Sequence, residues 1–193
     1  MISMEKPFIG AYWGARAETR QECAKRVFEF LRALADDPLF ARWYPKSYSR
    51  KPPKTPLAIT VESIEQTLRQ QYTDIPRKLM PDLGFSLGIW NGNDKASAGF
   101  SVTCGAYSKV VGNCVVLNLP PQEPPNDPAA FERFHRLVKH AVEVWEPDVA
   151  VATSSQLLAK GGGNVRETEA WIKYRRDQGT VFRTSPANNS GNQ

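Results

Sequence analysis

LGFSLGIWNGNDKASAGFSVTCG, residues 83 to 105, decides the fold class of this chain. Leu83, Phe85, Leu87 and Ile89 alternate with Gly84, Ser86, Gly88 and Trp90, a period of two that sets one row of side chains against a core. Phe100, Val102 and Cys104 alternate likewise. Between the runs, Asn91-Gly92-Asn93-Asp94 supplies residues that tolerate positive φ, as a tight hairpin connection requires. The tip is first of all a turn, and the stretch predicts two antiparallel strands. Trp90 falls on the face opposite Leu87 and Ile89, so it is either covered by another element or open to a partner.

Working outward, residues 7 to 14, 113 to 119 and 149 to 153 also read as strands, the second stopped by Pro120-Pro121. Thr19 and Glu22 have the spacing of a capping box, and Cys23, Val27, Phe30, Leu31 and Leu34 follow as an apolar helical stripe ending near Asp36-Asp37-Pro38. A second helix follows Thr60 as N-cap, burying Val61, Ile64 and Leu68, and Pro76 and Pro81 forbid a long continuation. A third is capped by Asn126-Asp127, carries Phe131, Phe134, Val138, Ala141 and Trp145, and ends at Pro147. Gly161-Gly162-Gly163 precedes a possible last helix around Trp171 and Tyr174. These elements predict an α+β fold, a mainly antiparallel sheet with helices packed on it in two layers. Its 193 residues suit one domain, taken as 1–183, with 184–193 as a frayed polar tail.

Composition narrows the class. The chain is 41% hydrophobic and 23% charged, near globular averages, and no apolar run approaches the length of a membrane span. Cys23, Cys104 and Cys114 cannot all pair within one molecule, and no CxxC or Cys/His cluster suggests a metal, so a reducing cytoplasm is the simpler expectation. Ala15-Arg16-Ala17 looks like a signal cleavage site, but the aromatic, glycine-containing PFIGAYWGA before it suits a buried strand better.

The net charge of +5 is local. Residues 42 to 54, RWYPKSYSRKPPK, hold Arg42, Lys46, Arg50, Lys51 and Lys54 and no acid, which leaves the rest of the chain neutral. Such a segment is either a solvated loop or, given Trp43, Tyr44 and Tyr48 among the cations, a contact for an anionic partner. Catalytic constellations are not legible. His135 and His140 lie five residues apart on one helix and diverge around its axis by roughly 140°. GGGN at 161 to 164 lacks the Lys-Ser/Thr of a phosphate loop, and Cys104 and Cys114 fit strand positions where cysteine packs as a small hydrophobe.

Five pieces in order, GAYWGARAET, FLRAL leading to LFARWYPK, LGFSLGIWNG, VVGNCVVLNLP and WEPDVAVATS, resemble the immunity protein 52 family of bacterial polymorphic toxin and type VI secretion systems. The resemblance runs over roughly residues 8 to 155; beyond it the family has a Gly-Trp then Tyr segment where this chain has Ala170-Trp171 and Tyr174. It implies a small cytoplasmic α+β protein that neutralises a cognate toxin, typically a restriction-endonuclease-type nuclease domain, by stoichiometric occlusion. It implies no catalysis, cofactor, metal, membrane or small-molecule substrate. The toxin-binding candidates that follow are Tyr12, Trp13, Arg16, Arg42, Trp43, Lys46, Arg50, Lys51, Trp90 and Asn91. Nucleic acid is not the expected partner, although a small nucleic-acid-binding module using loop 42–54 is the alternative reading.

Overall fold

Strand β1 (Pro7–Trp13) lies in the interior of one antiparallel sheet. The computed structural model describes residues 4–46, 55–70, 80–122, 124–125, 128–178 and 180–183. Arg50, Lys51, the Asn126-Asp127 cap and the tail 184–193 lie outside the described residues. The remaining strands are β2 (Tyr44–Pro45), β3 (Arg69–Gln70), β4 (Phe85–Trp90), β5 (Gly99–Cys104), β6 (Asn113–Asn118), β7 (Val149–Ser154), β8 (Ile172–Arg175) and β9 (Thr180–Arg183). Their order is β2-β4-β5-β6-β1-β7-β8-β9, with β3 pairing β4 near Phe85 and β2 pairing its other end.

Helices α1 (Arg20–Ala33), α2 (Val61–Thr67) and α3 (Pro128–Trp145) form the second layer, as the α+β expectation requires. The capping box at the start of α1 is realised on both sides: the Glu22 N–H donates to Thr19 Oγ1 at 3.2 Å and the Thr19 N–H to Glu22 Oε2 at 2.7 Å. The inner face of the sheet gives Ile9, Ala11 and Trp13, Leu87 and Ile89, and Phe100, Val102 and Cys104 to one core with Val27, Phe30 and Leu31 of α1 and Val138 and Ala141 of α3. Aromatic rings tie the layers together. Trp13 stacks on Trp145 with ring centroids 5.4 Å apart, and Phe30 meets Phe100 at 5.6 Å.

Two readings of the sequence need correction, and one element goes unread in it. The expected last helix around Trp171 and Tyr174 is instead strand β8, with Ile172 paired to Ala152 and Tyr174 to Ala150 on the edge of β7. Burying Ile172 in the sheet core outweighs any local helical preference of so short a segment. The hairpin connection is also not tight. Eight residues, 91–98, lie between β4 and β5, and only Gly92 among them has positive φ, at +73°. A short helix, α4 (Ser155–Lys160), follows β7 directly, because the Ser154 side chain accepts from the Leu157 N–H at 3.2 Å.

The outer face of the sheet is covered over only part of its width. Phe8, Val149, Val151 and Ala170 make a smaller cluster there, with Leu158 of α4 and Val165 packed against it. No described helix lies over the outer face of β4, β5 and the adjoining part of β6.

Candidate functional site

One end of the sheet is closed by buried polar groups. Asn113, at the start of β6, is 2% exposed; its Nδ2 donates to the carbonyls of Gly14 at 2.7 Å and Ala106 at 2.9 Å, and its Oδ1 accepts from the Ala106 N–H at 2.8 Å. Beside it, Arg16 donates to the Trp145 carbonyl at 3.0 Å and lies 4.8 Å over the Trp13 ring, and its Nε is 3.3 Å from Glu18. Arg26 donates to the Val144 carbonyl and pairs with Glu18 at 2.8 Å and Glu146 at 3.1 Å. Two guanidinium groups thus bind the last carbonyls of α3, where the helix dipole concentrates negative charge. Glu146 just beyond holds φ at +46°, the left-handed conformation that ends the helix before Pro147.

Several candidates named from sequence serve the fold. Trp13 and Trp43 are buried at 5% and 1% exposure, with Trp43 stacked 5.9 Å from Phe40. Arg16 joins β1 to α3, as described. Asn91 organises the loop behind Trp90: its Nδ2 donates to the carbonyls of Leu39 at 3.2 Å and Ala96 at 2.9 Å, and its Oδ1 accepts from the Ala98 N–H at 3.0 Å. In this conformation the two indoles are almost wholly enclosed.

Of the other described candidates, Tyr12, Lys46 and Trp90 lie on the outer face. Trp90 is half-buried there, with Tyr44 of β2 directly opposite it. Lys46 follows Tyr44 by two residues and is exposed, its stem lying against Gly88 and its ammonium near Gly99. Tyr12 lies on the same face, with its ring against Gly10. Burial pushes the Tyr12 phenol up to about 12, with Cys114 nearby adding to the effect. Arg42 is exposed just before β2. Sequence reasoning missed the small residues that form this surface, Gly88, Gly99, Ser101 and Thr103 among them. Their signal lay in plain view as the polar half of the alternation in β4 and β5.

Contact with Cys23 and burial both raise the Cys104 thiol, and burial raises Cys114, so both stay protonated at neutral pH. His140 stacks 5.0 Å from Phe30, with Nε2 at 3.2 Å from the Phe30 carbonyl, while His135 lies beside Glu132. Among the described residues no group of three or more His, Cys, Asp or Glu is placed to hold a metal, and no helix is long and apolar enough to cross a membrane. A hollow of about 410 Å³ at the β8 edge is lined by Arg166, Arg175 and Arg176 together with Asp148 and Asp177. There burial and Arg175 lower the nearby Lys173 ammonium, whose Nζ donates to the carbonyls of Arg166 and Thr168.

No curated protein matches this chain. The family model described as Immunity protein 52 matches residues 5–187, from just before β1 to beyond β9, and so takes in the sheet, the helices and the outer face together. The chain belongs to the Immunity protein 52 family.

Proposed function

We propose that this protein binds and neutralises a cognate secreted toxin, a nuclease domain of the restriction-endonuclease type, in the cytoplasm of the producing cell. The family match over residues 5–187 carries the reading. The toxin would belong to a polymorphic toxin system whose effectors are delivered by type VI secretion. Inhibition is by stoichiometric occlusion, without catalysis or cofactor. The charge distribution argues against imitation of nucleic acid, since a phosphate mimic is acidic and this chain is basic where it is most charged. The contacts are proposed to come from Tyr12, Arg42, Lys46, Arg50, Lys51 and Trp90, with Trp13, Arg16, Trp43 and Asn91 holding those side chains in place.

The test is a titration of purified chain into a fixed amount of the nuclease toxin domain proposed as its partner, read as cleavage of plasmid DNA. Occlusion predicts a linear loss of nuclease activity that reaches zero near one equivalent. Complete loss at a small fraction of an equivalent would show that the chain acts catalytically. Full nuclease activity at a large excess would remove the toxin reading. Salt-dependent DNA binding in that same sample would turn the assignment to the nucleic-acid module.

A further inference from the structure

The open part of the outer face has a composition unlike the rest of the molecule. Its strand positions are Ser86, Gly88 and Trp90 on β4, Gly99, Ser101 and Thr103 on β5, and Cys114, Val116 and Asn118 on β6. Gly88 stands directly opposite Ser101, and Gly99 opposite Trp90, so the centre is a low floor of main chain and small side chains. A floor of that shape accepts a protruding element close to the backbone. None of these residues is a carboxylate. Among the described residues of β3 and of the chain just after β2, the ionisable side chains facing it are both cations: Arg69, directly opposite Ser86, and Lys46, whose ammonium reaches toward Gly99 and Asn118. Both are exposed. The described part of the basic segment 42–54 ends at this same edge with Lys46, and beside it the Leu57 N–H donates to the Trp43 carbonyl at 2.7 Å.

We infer that the outer face of β4, β5 and β6 is the docking surface for an acidic protein element. A loop or helix of the partner sits on the Gly88, Gly99 and Ser101 floor, beside Trp90, and sets carboxylates against Lys46 and Arg69. Charge complementarity identifies the occupant: a cationic rim around a floor without carboxylates selects an acidic protrusion and repels a basic one. The floor favours a protein over a nucleic acid, because Lys46 lies along Gly88 and Gly99 and Arg69 beside Ser86, and away from these two cations a phosphate backbone would meet only hydroxyls and glycine. The inference rests on the toxin-binding reading and adds which surface does the binding and what chemistry it meets.

The experiment measures the dissociation constant of the parent and four variants for the catalytically inactivated toxin domain, together with each melting temperature. Ser101→Trp raises the floor, Lys46→Glu and Arg69→Glu reverse the rim, and Lys139→Glu reverses an exposed charge on α3 in the helix layer. The expected result is a loss of about tenfold for each rim reversal and at least about a hundredfold for Ser101→Trp. Lys139→Glu should bind as the parent does, and all melting temperatures should stay within about 2 °C of it. Parent binding that is unchanged in both Ser101→Trp and the rim variants would overturn the inference while leaving the toxin reading intact. A parent that does not bind the toxin removes the toxin reading, and this inference with it. A melting temperature that falls by several degrees in Ser101→Trp would show that the chain covers this face itself, and a parent dimer dissociated by Ser101→Trp would assign it to a second copy. Duplex DNA binding lost in the rim variants, with toxin binding kept, would assign the rim to nucleic acid; each of these three results overturns the proposal.

Discussion

Replacing Arg16 by alanine separates a structural role from a binding role at a residue that sequence alone offers as a toxin contact. Its guanidinium donates to the Trp145 carbonyl at 3.0 Å, and a charge-assisted hydrogen bond of this kind contributes about 1.5–3 kcal/mol. Its position 4.8 Å over the Trp13 ring adds about 0.5–1 kcal/mol. The ion pair with Glu18 adds less, because Arg26 holds the other oxygen of that carboxylate at 2.8 Å and remains in the variant. Arg16→Ala should therefore cost about 3 kcal/mol, which lowers the melting temperature by roughly 6–12 °C in a chain of this size. Arg16→Lys should recover part of the loss, since an ammonium can reach the carbonyl but cannot also lie flat on the indole. Differential scanning fluorimetry gives the stability and titration calorimetry gives toxin affinity below the transition. A melting temperature within about 2 °C of the parent, with toxin binding abolished, would refute the structural assignment of Arg16.

Asn113→Ala removes three hydrogen bonds of a buried side chain, two of them fully buried, and should cost about 3 kcal/mol in urea unfolding, whereas Asn118→Ala, exposed on the outer face, should stay within about 0.5 kcal/mol of the parent. Tyr12 should ionise late, near pH 12, in an absorbance titration at 295 nm. Its folded pKa is raised above the unfolded value, so its contribution is fully present below about pH 10 and is lost as pH rises through about 12; the loss is of the order of 2–3 kcal/mol, and Tyr12→Phe should abolish that part of the alkaline destabilisation. Replacing Arg42, Lys46, Arg50 and Lys51 together by serine should slow association with the toxin, most at low ionic strength, and flatten its salt dependence. Equal association rates at low salt would reduce the segment to a solvated connection.

The alternation in residues 83 to 105 was enough to read β4 and β5, and Thr19 with Glu22 marked the start of α1, because both signals are local and each repeats or reciprocates within a few residues. Strand β8 was not legible. Ile172 and Tyr174 alternate with Lys173 and Arg175 for barely two repeats, and what makes the segment a strand is pairing with β7, some twenty residues earlier. The site was harder for a related reason. Strand β1 buries Phe8 on one face and Ile9, Ala11 and Trp13 on the other, so no alternation told which aromatics point to solvent. Trp43 lies among prolines and cations, where nothing local reveals that the sheet and Phe40 enclose it. Residue type picked out the aromatics and arginines, while the open floor is made of glycine and serine, which carry no such flag.

The position of β1 also sets a timetable. It is made first of all the strands, yet it hydrogen-bonds to β6, with Phe8 against Asn118, and to β7, with Pro7 against Ser154. At synthesis rates of about 5–20 residues per second, roughly 7–30 s pass between the appearance of Pro7 and that of Ser154. Until β6 is made, roughly 5–20 s after β1, the nascent chain carries a strand that is apolar on both faces and has neither neighbour, and until β7 is made it has only one, a species prone to aggregation. The separation in sequence also makes the closing step slow once the chain is complete. A cell relying on this fold for protection must therefore keep a standing pool of finished molecules, because new synthesis begun when a toxin arrives would come too late.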